Sequence, residues 1–244
     1  MTKIGFISDI HGNIDALQAV LAKLDQCGCD MVFCLGDIVG YGAGPSECIK
    51  LIREREIPSV MGNHDEYVTL LMDPRVEKLR EEIREAIYWC QGKLSMDELR
   101  WLAKLPMRIE TEEFTVLHGS FHTIKWAYCL DEPTFAANFK MQTMPLAFCG
   151  HSHSPLLGIE VPNDIPYVDY IRKTIIKPDL KYMINVGAVG QPRDRDPRAC
   201  AVIYNLASRE LELIRVEYDI AAAQARIRAA GLPEKFARRL QEGR

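Results

Sequence analysis

Between Lys3 and Asp65 the chain runs three times through one pattern: a short apolar run, a cluster of polar residues suited to metals, then a helical stretch. Lys3-Ile4-Gly5-Phe6-Ile7-Ser8 reads as a buried strand and ends at Asp9-Ile10-His11-Gly12-Asn13. Met31-Val32-Phe33-Cys34-Leu35 reads as a second strand and ends at Gly36-Asp37. Pro58-Ser59-Val60-Met61 reads as a third and ends at Gly62-Asn63-His64-Asp65. Strands that alternate with helices predict βαβ units and a mainly parallel sheet. Sites in such sheets gather beyond the carboxyl ends of the strands, where all three clusters fall.

The intervening segments carry helix signals. Asn13 is placed as an N-cap, and Ile14, Leu17, Leu21 and Leu24 follow at helical spacing until Gly28. Pro45 suits the first turn of a second helix with Cys48, Leu51 and Ile52 on its apolar face. Between them lies the glycine-rich loop Val39-Gly40-Tyr41-Gly42-Ala43-Gly44. From about residue 66 to 105 charged residues dominate, with Leu79, Ile83, Ala86, Ile87 and Cys90 as the apolar positions. That stretch is expected to be a helical, cap-like insertion beside the site, its charges forming a solvated face.

Further along, Phe114 to Leu117 reads as a strand ending at His118-Gly119-Ser120-Phe121-His122, and a short helix is expected to end near Phe139. The apolar run Pro145 to Cys149 leads into Gly150-His151-Ser152-His153. In extended backbone, residues two apart point the same way, so His151 and His153 are expected to aim at one point, as are Asp9 and His11. Leu156 to Val161 and Tyr182 to Gly187 read as strands, with a proline-bounded irregular stretch between them. Cys200 to Leu206 and Glu210 to Tyr218 read as a hairpin around Ala207-Ser208-Arg209, followed by two short helices parted by Gly231-Leu232-Pro233. No repeat or linker interrupts the chain, so residues 1–244 are expected to form one domain.

Composition narrows the function classes. Thirty basic residues against thirty-four acidic ones leave a net charge of −4, with no positive excess to mark a nucleic-acid binder. No apolar run approaches the roughly 20 residues needed to span a bilayer. The apolar run at the start is too short for a signal peptide, and a cytoplasmic location is expected. The eight cysteines contain no C-x-x-C pair, and Cys34, Cys149 and Cys200 lie in apolar runs as buried thiols.

The histidines decide the chemistry. Of six, five (His11, His64, His118, His151 and His153) sit at strand ends beside glycine, acid or amide residues, and His122 follows closely. Scattered core or surface histidines would not concentrate in this way. Asp9, His11, Asp37, Asn63, His118, His151 and His153 form a mixed carboxylate, amide and imidazole set, which suits Mn, Fe or Zn. That is too many groups for one tetrahedral ion, and it suits two divalent ions about 3.5 Å apart.

Asp9-Ile10-His11, Gly36-Asp37, Gly62-Asn63-His64-Asp65, His118 and Gly150-His151-Ser152-His153 together resemble, in order, the signature of the calcineurin-like metallophosphoesterases. The resemblance runs from residue 4 to about 195. It implies a four-layer α/β/β/α sandwich of two central mixed sheets. It also implies that Asp9, His11, Asp37 and His153 hold one metal and Asp37, Asn63, His118 and His151 the other, with Asp37 as the bridge. Such a pair would present a bridging hydroxide to the phosphorus of a small phosphodiester. His64 would act as general acid or charge stabiliser, with Asp65 orienting its ring. Arg193, after a glycine-containing turn, is the candidate for a further phosphate contact beside Asn63, with Asp194 and Asp196 as its rival partners.

Serine/threonine phosphatases and symmetrical dinucleoside tetraphosphatases of this superfamily continue the Gly-Asp block with Val-Asp-Arg-Gly. Here it continues Ile38-Val39-Gly40-Tyr41-Gly42, and the arginine is absent. The segment Asn185 to Arg193 resembles instead the small prokaryotic phosphodiesterases of the family. A small, nucleotide-derived phosphoester is the favoured substrate. A phosphomonoesterase or protein phosphatase, a nuclease and a non-catalytic metal-binding scaffold are the alternatives.

Overall fold

The computed structural model describes residues 2–121 and 126–244; His122 lies outside the described residues. In chain order the strands are β1 (Lys3–Ile7), β2 (Met31–Cys34), β3 (Arg108–Glu110), β4 (Thr115–Leu117), β5 (Leu146–Cys149), β6 (Pro155–Ile159), β7 (Tyr167–Tyr170), β8 (Thr174–Ile175), β9 (Tyr182–Val186), β10 (Ala199–Asn205) and β11 (Glu210–Val216). The helices are α1 (Ile14–Gln26), α2 (Pro45–Glu54), α3 (Asn63–Thr69), α4 (Pro74–Glu77), α5 (Glu81–Lys93), α6 (Met96–Ala103), α7 (Glu132–Phe139), α8 (Ile220–Ala229) and α9 (Glu234–Glu242).

The strands form two sheets, ordered β2-β1-β10-β11-β8 and β3-β4-β5-β9-β6-β7. Both are mixed. In the first, β1 runs parallel to β2 and antiparallel to β10. In the second, β4, β5 and β9 are mutually parallel, β3 and β6 run against them, and β7, antiparallel to β6, runs in their direction again. The expectation of a mainly parallel sheet therefore holds only for the β1–β2 pair at one edge of the first sheet and for β4, β5 and β9 in the middle of the second. The returning hairpin β10–β11 inserts antiparallel beside β1 and supplies the mixed character.

Period-two alternation along the strands builds the layers. Ile4, Phe6, Phe33, Leu35, Val202, Tyr204 and Leu211 of the first sheet meet Val116, Phe148, Leu157, Ile184 and Val186 of the second in one core. Phe6 and Phe148 stack at its centre, ring centroids 3.7 Å apart and 10° from parallel, with Phe33 and Phe114 around them. The opposite face of the first sheet (Ile7, Cys34, Ala201, Ile203, Ile214) packs on α1 and α2. The opposite face of the second (Leu117, Ala147, Cys149, Leu156, Met183) packs on Phe135 and Phe139 of α7. The result is helix, sheet, sheet, helix. Val68, Val76, Ile87, Cys90, Leu94 and Leu102 of α3 to α6 share a core with α1 and α2.

The helix signals read from the sequence have direct counterparts. Asn13 Oδ1 accepts the Ala16 amide at 3.1 Å, and Pro45 opens α2. Three strand readings differ. Pro58–Met61 makes only a bridge, Cys34 with Ser59, because Pro58 lacks an amide and the chain turns at once into α3. The proline-bounded stretch holds two strands, β7 and β8, whose half-exposed edge positions leave little apolar alternation to read. β3 is a similarly exposed edge strand at the end of the charged segment.

Gly62 lets the start of α3 come close to the Asp37 loop. A Cβ there would collide with the side chain and amide of Asp37. Gly62→Ala should cost about 2 kcal/mol or more, because a rigid buried neighbour must move. Chemical denaturation of the metal-free variant against the parent measures this; equal midpoints would refute the close approach.

Candidate metal centre

All three leading clusters, together with His118 and the Gly150–His153 turn, meet at one rim of the paired sheets. The loops are hydrogen-bonded to one another through their backbones. Asp9 N donates to Gly36 O (3.0 Å), His11 N to Asp37 O (2.9 Å) and Gly150 N to His118 O (2.8 Å). Gly190 N donates to Asp9 O at 2.9 Å. Asn185 ties the last turn, its Nδ2 donating to Gly150 O (2.6 Å) and Ser152 Oγ (2.9 Å).

The paired spacings do not act through extended backbone. Asp9, His11, Asp37, His151 and His153 all have left-handed φ, between 48° and 68°. Each such non-glycine residue costs on the order of 1–3 kcal/mol, held in place by the surrounding network. The curl sends His151 and His153 to different neighbours. His153 Nε2 lies 3.2 Å from Asp9 Oδ1, whereas the His151 ring lies 5.0 Å from that of His118.

Each buried carboxylate divides its oxygens. Asp9 Oδ2 accepts the His151 amide at 2.9 Å, and Asp37 Oδ1 accepts the His64 amide at 2.8 Å. The other oxygens face the centre. Asp37 Oδ2 lies 3.5 Å from His11 Nε2 and 3.4 Å from His118 Nε2, and Asp9 Oδ1 is buried without a hydrogen-bond donor.

The imidazoles are oriented in the same way. Nδ1–H donates to a backbone carbonyl in His11 (Val39 O, 3.2 Å), His118 (Leu35 O, 2.7 Å) and His153 (Gln191 O, 2.6 Å). That leaves Nε2 of each turned inward, the arrangement by which backbone acceptors fix metal-binding histidines. His151 is reversed, with Nε2 2.9 Å from the Trp126 carbonyl. His11 Nε2 and His153 Nε2 face each other at 3.1 Å, and His118 Nε2 lies 3.2 Å from Asn63 Oδ1.

Two groups of candidate ligands stand out: Asp9, His11 and His153, and Asp37, His118 and His151, each within 4.8 Å. A third joins His11 and Asp37 to His64. Facing lone pairs, a donorless buried carboxylate oxygen and fixed tautomers fit divalent cations well.

The electrostatics agree. Burial would raise Asp9 and Asp37, yet His153 beside one and His118 beside the other hold both below the usual carboxylate range. Burial pushes His11 well down and His151 to about 4. Burial alone would lower His118, but Asp37 carries it up to about 9.

His64, at the start of α3, is fully enclosed, and burial pushes it down to about 4. Its Nε2 lies 3.1 Å from the Tyr41 hydroxyl, and its Nδ1 is buried without a partner. Asp65 does not orient this ring. Its carboxylate accepts the amides of Ile38 (2.9 Å), Val39 (3.2 Å) and Gly62 (3.0 Å), and so clamps the Asp37 loop to α3. An acid three residues into a helix satisfies the free amides at its start before it reaches a neighbouring ring.

Arg193 is joined to the site through its backbone, its amide donating to His153 O at 3.1 Å. Its guanidinium lies 5.8 Å from the Tyr41 ring, and Nη2 donates to Gln191 Oε1 at 3.1 Å. The adjacent acids are engaged elsewhere, Asp194 with Arg215 and Asp196 with Arg198. Tyr41 and Asn185 were not singled out in the sequence. An aromatic residue set between two glycines was the available signal for Tyr41; Asn185, inside an apolar strand, gave a buried-amide signal only.

Acid and imidazole groups converging at one rim of a two-sheet sandwich make a candidate metal centre. The calcineurin-like phosphoesterase superfamily domain matches residues 2–208, and the chain belongs to that superfamily. An uncharacterized protein of Methanocaldococcus jannaschii is 37% identical over 99% of this chain and 98% of its own length. The crystal structure of a metallophosphoesterase from Sphaerobacter thermophilus superposes with a TM-score of 0.86 at 40% identity, covering 100% of this chain and 99% of that one. A symmetrical bis(5'-nucleosyl)-tetraphosphatase of Vibrio parahaemolyticus is 25% identical over 46% of this chain and 42% of its own length. Among the described residues, no helix is long and apolar enough to cross a membrane.

Ligation by His118 would require its ring lone pair, and in the metal-free chain Asp37 carries the pKa of that ring up to about 9. Loading at pH 7 should therefore release about one proton from His118, and at pH 10 none from it. Calorimetric titration in buffers of different ionisation enthalpy, with His118→Ala for comparison, measures the release. An unchanged count across that pH range would refute the assignment.

Proposed function

We propose that the chain is a metal-dependent phosphoesterase acting on a small phosphodiester, and that nucleotide-derived esters are its substrate class. The observation that carries this is the convergence of buried carboxylates and inward-turned imidazoles from both sheets, with His64 enclosed beside them. Asp9, His11, Asp37 and His153 would hold one divalent ion, and Asp37, Asn63, His118 and His151 the other, with Mn, Fe or Zn suited to the donors. When bound, the pair supplies an acidified water and positive charge for the phosphoryl oxygens.

The chain's own groups do the rest. Asp37 Oδ1 stays on the His64 amide, so the same carboxylate that faces the metals fixes the start of α3. His64 is neutral near pH 7 and holds one ring proton. We assign Nε2, on the side of Tyr41 and Arg193, to bond a phosphoryl or leaving oxygen, with the Tyr41 hydroxyl exchanging partners as substrate enters. Arg193 would take a second phosphoryl oxygen through its guanidinium fork. The nucleotide-derived class is supported by the tetraphosphatase relative, whose matched portion is under half of either chain.

The deciding experiment is hydrolysis of a chromogenic phosphodiester and the matching monoester by chelator-stripped protein, with Mn²⁺ restored stepwise and bound metal counted. Diester cleavage rising to about two ions per chain is the expected result. Preference for the monoester would make the protein a phosphatase, and bound metal without cleavage would make it a scaffold. His64→Ala should keep its metal and lose roughly 10²-fold in turnover. Asp37→Asn should weaken both ions together; loss of one alone would refute the bridge.

A further inference from the structure

Aromatic rings surround the candidate centre. Centroid to centroid, Tyr41 lies 4.5 Å from His11 and 4.6 Å from His64, and Trp126 lies 5.7 Å from His118. Tyr128 lies flat on His151, its centroid 4.3 Å away and its plane 6° from parallel. Tyr41 is buried and Trp126 half-buried, whereas Tyr128 is 46% exposed. One face of the Tyr128 ring rests on His151, so that exposure leaves its other face open to solvent at the mouth of the centre.

A tyrosine exposed by itself is ordinary. This one is built into the site from both sides along the chain. Two residues before it, Trp126 O accepts His151 Nε2–H at 2.9 Å, and Trp126 Nε1 donates to Glu66 Oε2 of α3 at 3.0 Å. One residue after it, Cys129 is buried in the core that α7 makes with the second sheet, its Sγ accepting Asn138 Nδ2 at 3.2 Å. The chain around Tyr128 is thus tied to α3, to the Gly150 turn and to α7. A ring held in this way has already lost much of the freedom that stacking would cost it. His151 is also grouped with Asp37 and His118 as candidate ligands within 4.8 Å of one another. A phosphoryl group held there has Tyr128 beside it, and whatever the ester carries beyond that phosphoryl group can lie against the open face.

We propose that the open face of Tyr128 is a stacking platform for the nucleobase of the substrate. Every base has a π face, so the platform selects a planar ring and not one particular base. This rests on the phosphoesterase reading and adds to it the part of the substrate that the chain recognises apart from phosphate.

The test uses two phosphonates that cannot be hydrolysed and that differ only in the base: the phosphonate isostere of AMP and its counterpart lacking adenine. Each is titrated by calorimetry into the full chain loaded with Mn²⁺, with bound metal counted. The adenosine compound should bind about tenfold more tightly than the ribose compound. Tyr128→Leu, which still covers the His151 ring, should remove about that factor and leave the ribose compound unchanged, whereas Tyr128→Trp should keep it. Tyr170→Leu, on the exposed strand β7, should move neither. A lost ion or a displaced His151 would weaken both probes alike. Such an equal loss in Tyr128→Leu, or equal affinities in the parent (absence of binding included), would overturn the platform. Tighter binding of benzylphosphonate than of the ribose compound, with no gain for the adenosine compound, would overturn the nucleobase as its occupant. Should Tyr128→Leu fail to fold, the parent ratio and Tyr128→Trp decide. Chromogenic diester hydrolysis by the same preparations is scored separately: its absence with every metal counts against the phosphoesterase reading, while the affinity ratio still judges Tyr128.

Discussion

Two buried carboxylates hold the site together by dividing their work. Asp9 and Asp37 each give one oxygen to a backbone amide from another loop and the other oxygen to the centre. A fully enclosed acid with no compensation would cost several kcal/mol or shift to its neutral form. Here the amides of His64 and His151 and the surrounding imidazoles supply that compensation. The same bonds join α3 to the β2 loop, and the Gly150 turn to the β1 loop. Removing either carboxylate would therefore loosen backbone as well as remove a candidate ligand.

The sandwich sets the distance over which these bonds must reach. Phe6 on β1 stacks on Phe148 on β5, and the same two strands run on into Asp9 and into His151. Sheet separation and ligand separation are thus one quantity.

Much of this was legible in the sequence because the signals were local. Asn13 before Ile14 and Leu17, and Pro45 ahead of Cys48, mark helix starts by their own chemistry. The apolar runs ending in Asp9, Asp37 and Gly150 mark strand ends by composition. What did not follow was orientation. The period-two argument for His151 and His153 fails because their backbone is left-handed, which no spacing rule encodes. Asp65 lies one residue from His64 in the chain, yet its carboxylate answers the amides of Ile38, Val39 and Gly62.

The site is built from contacts between distant parts of the chain. The bond from the His151 amide to Asp9 spans 142 residues. Such pairings form late in folding, because loop closure must come before the contacts that reward it. While the chain is still emerging during synthesis, β1 and its acid exist without the turn that completes them. A half-made chain therefore has no preorganised cage for a cation. A cation that these groups would hold meets them together only in the finished sandwich.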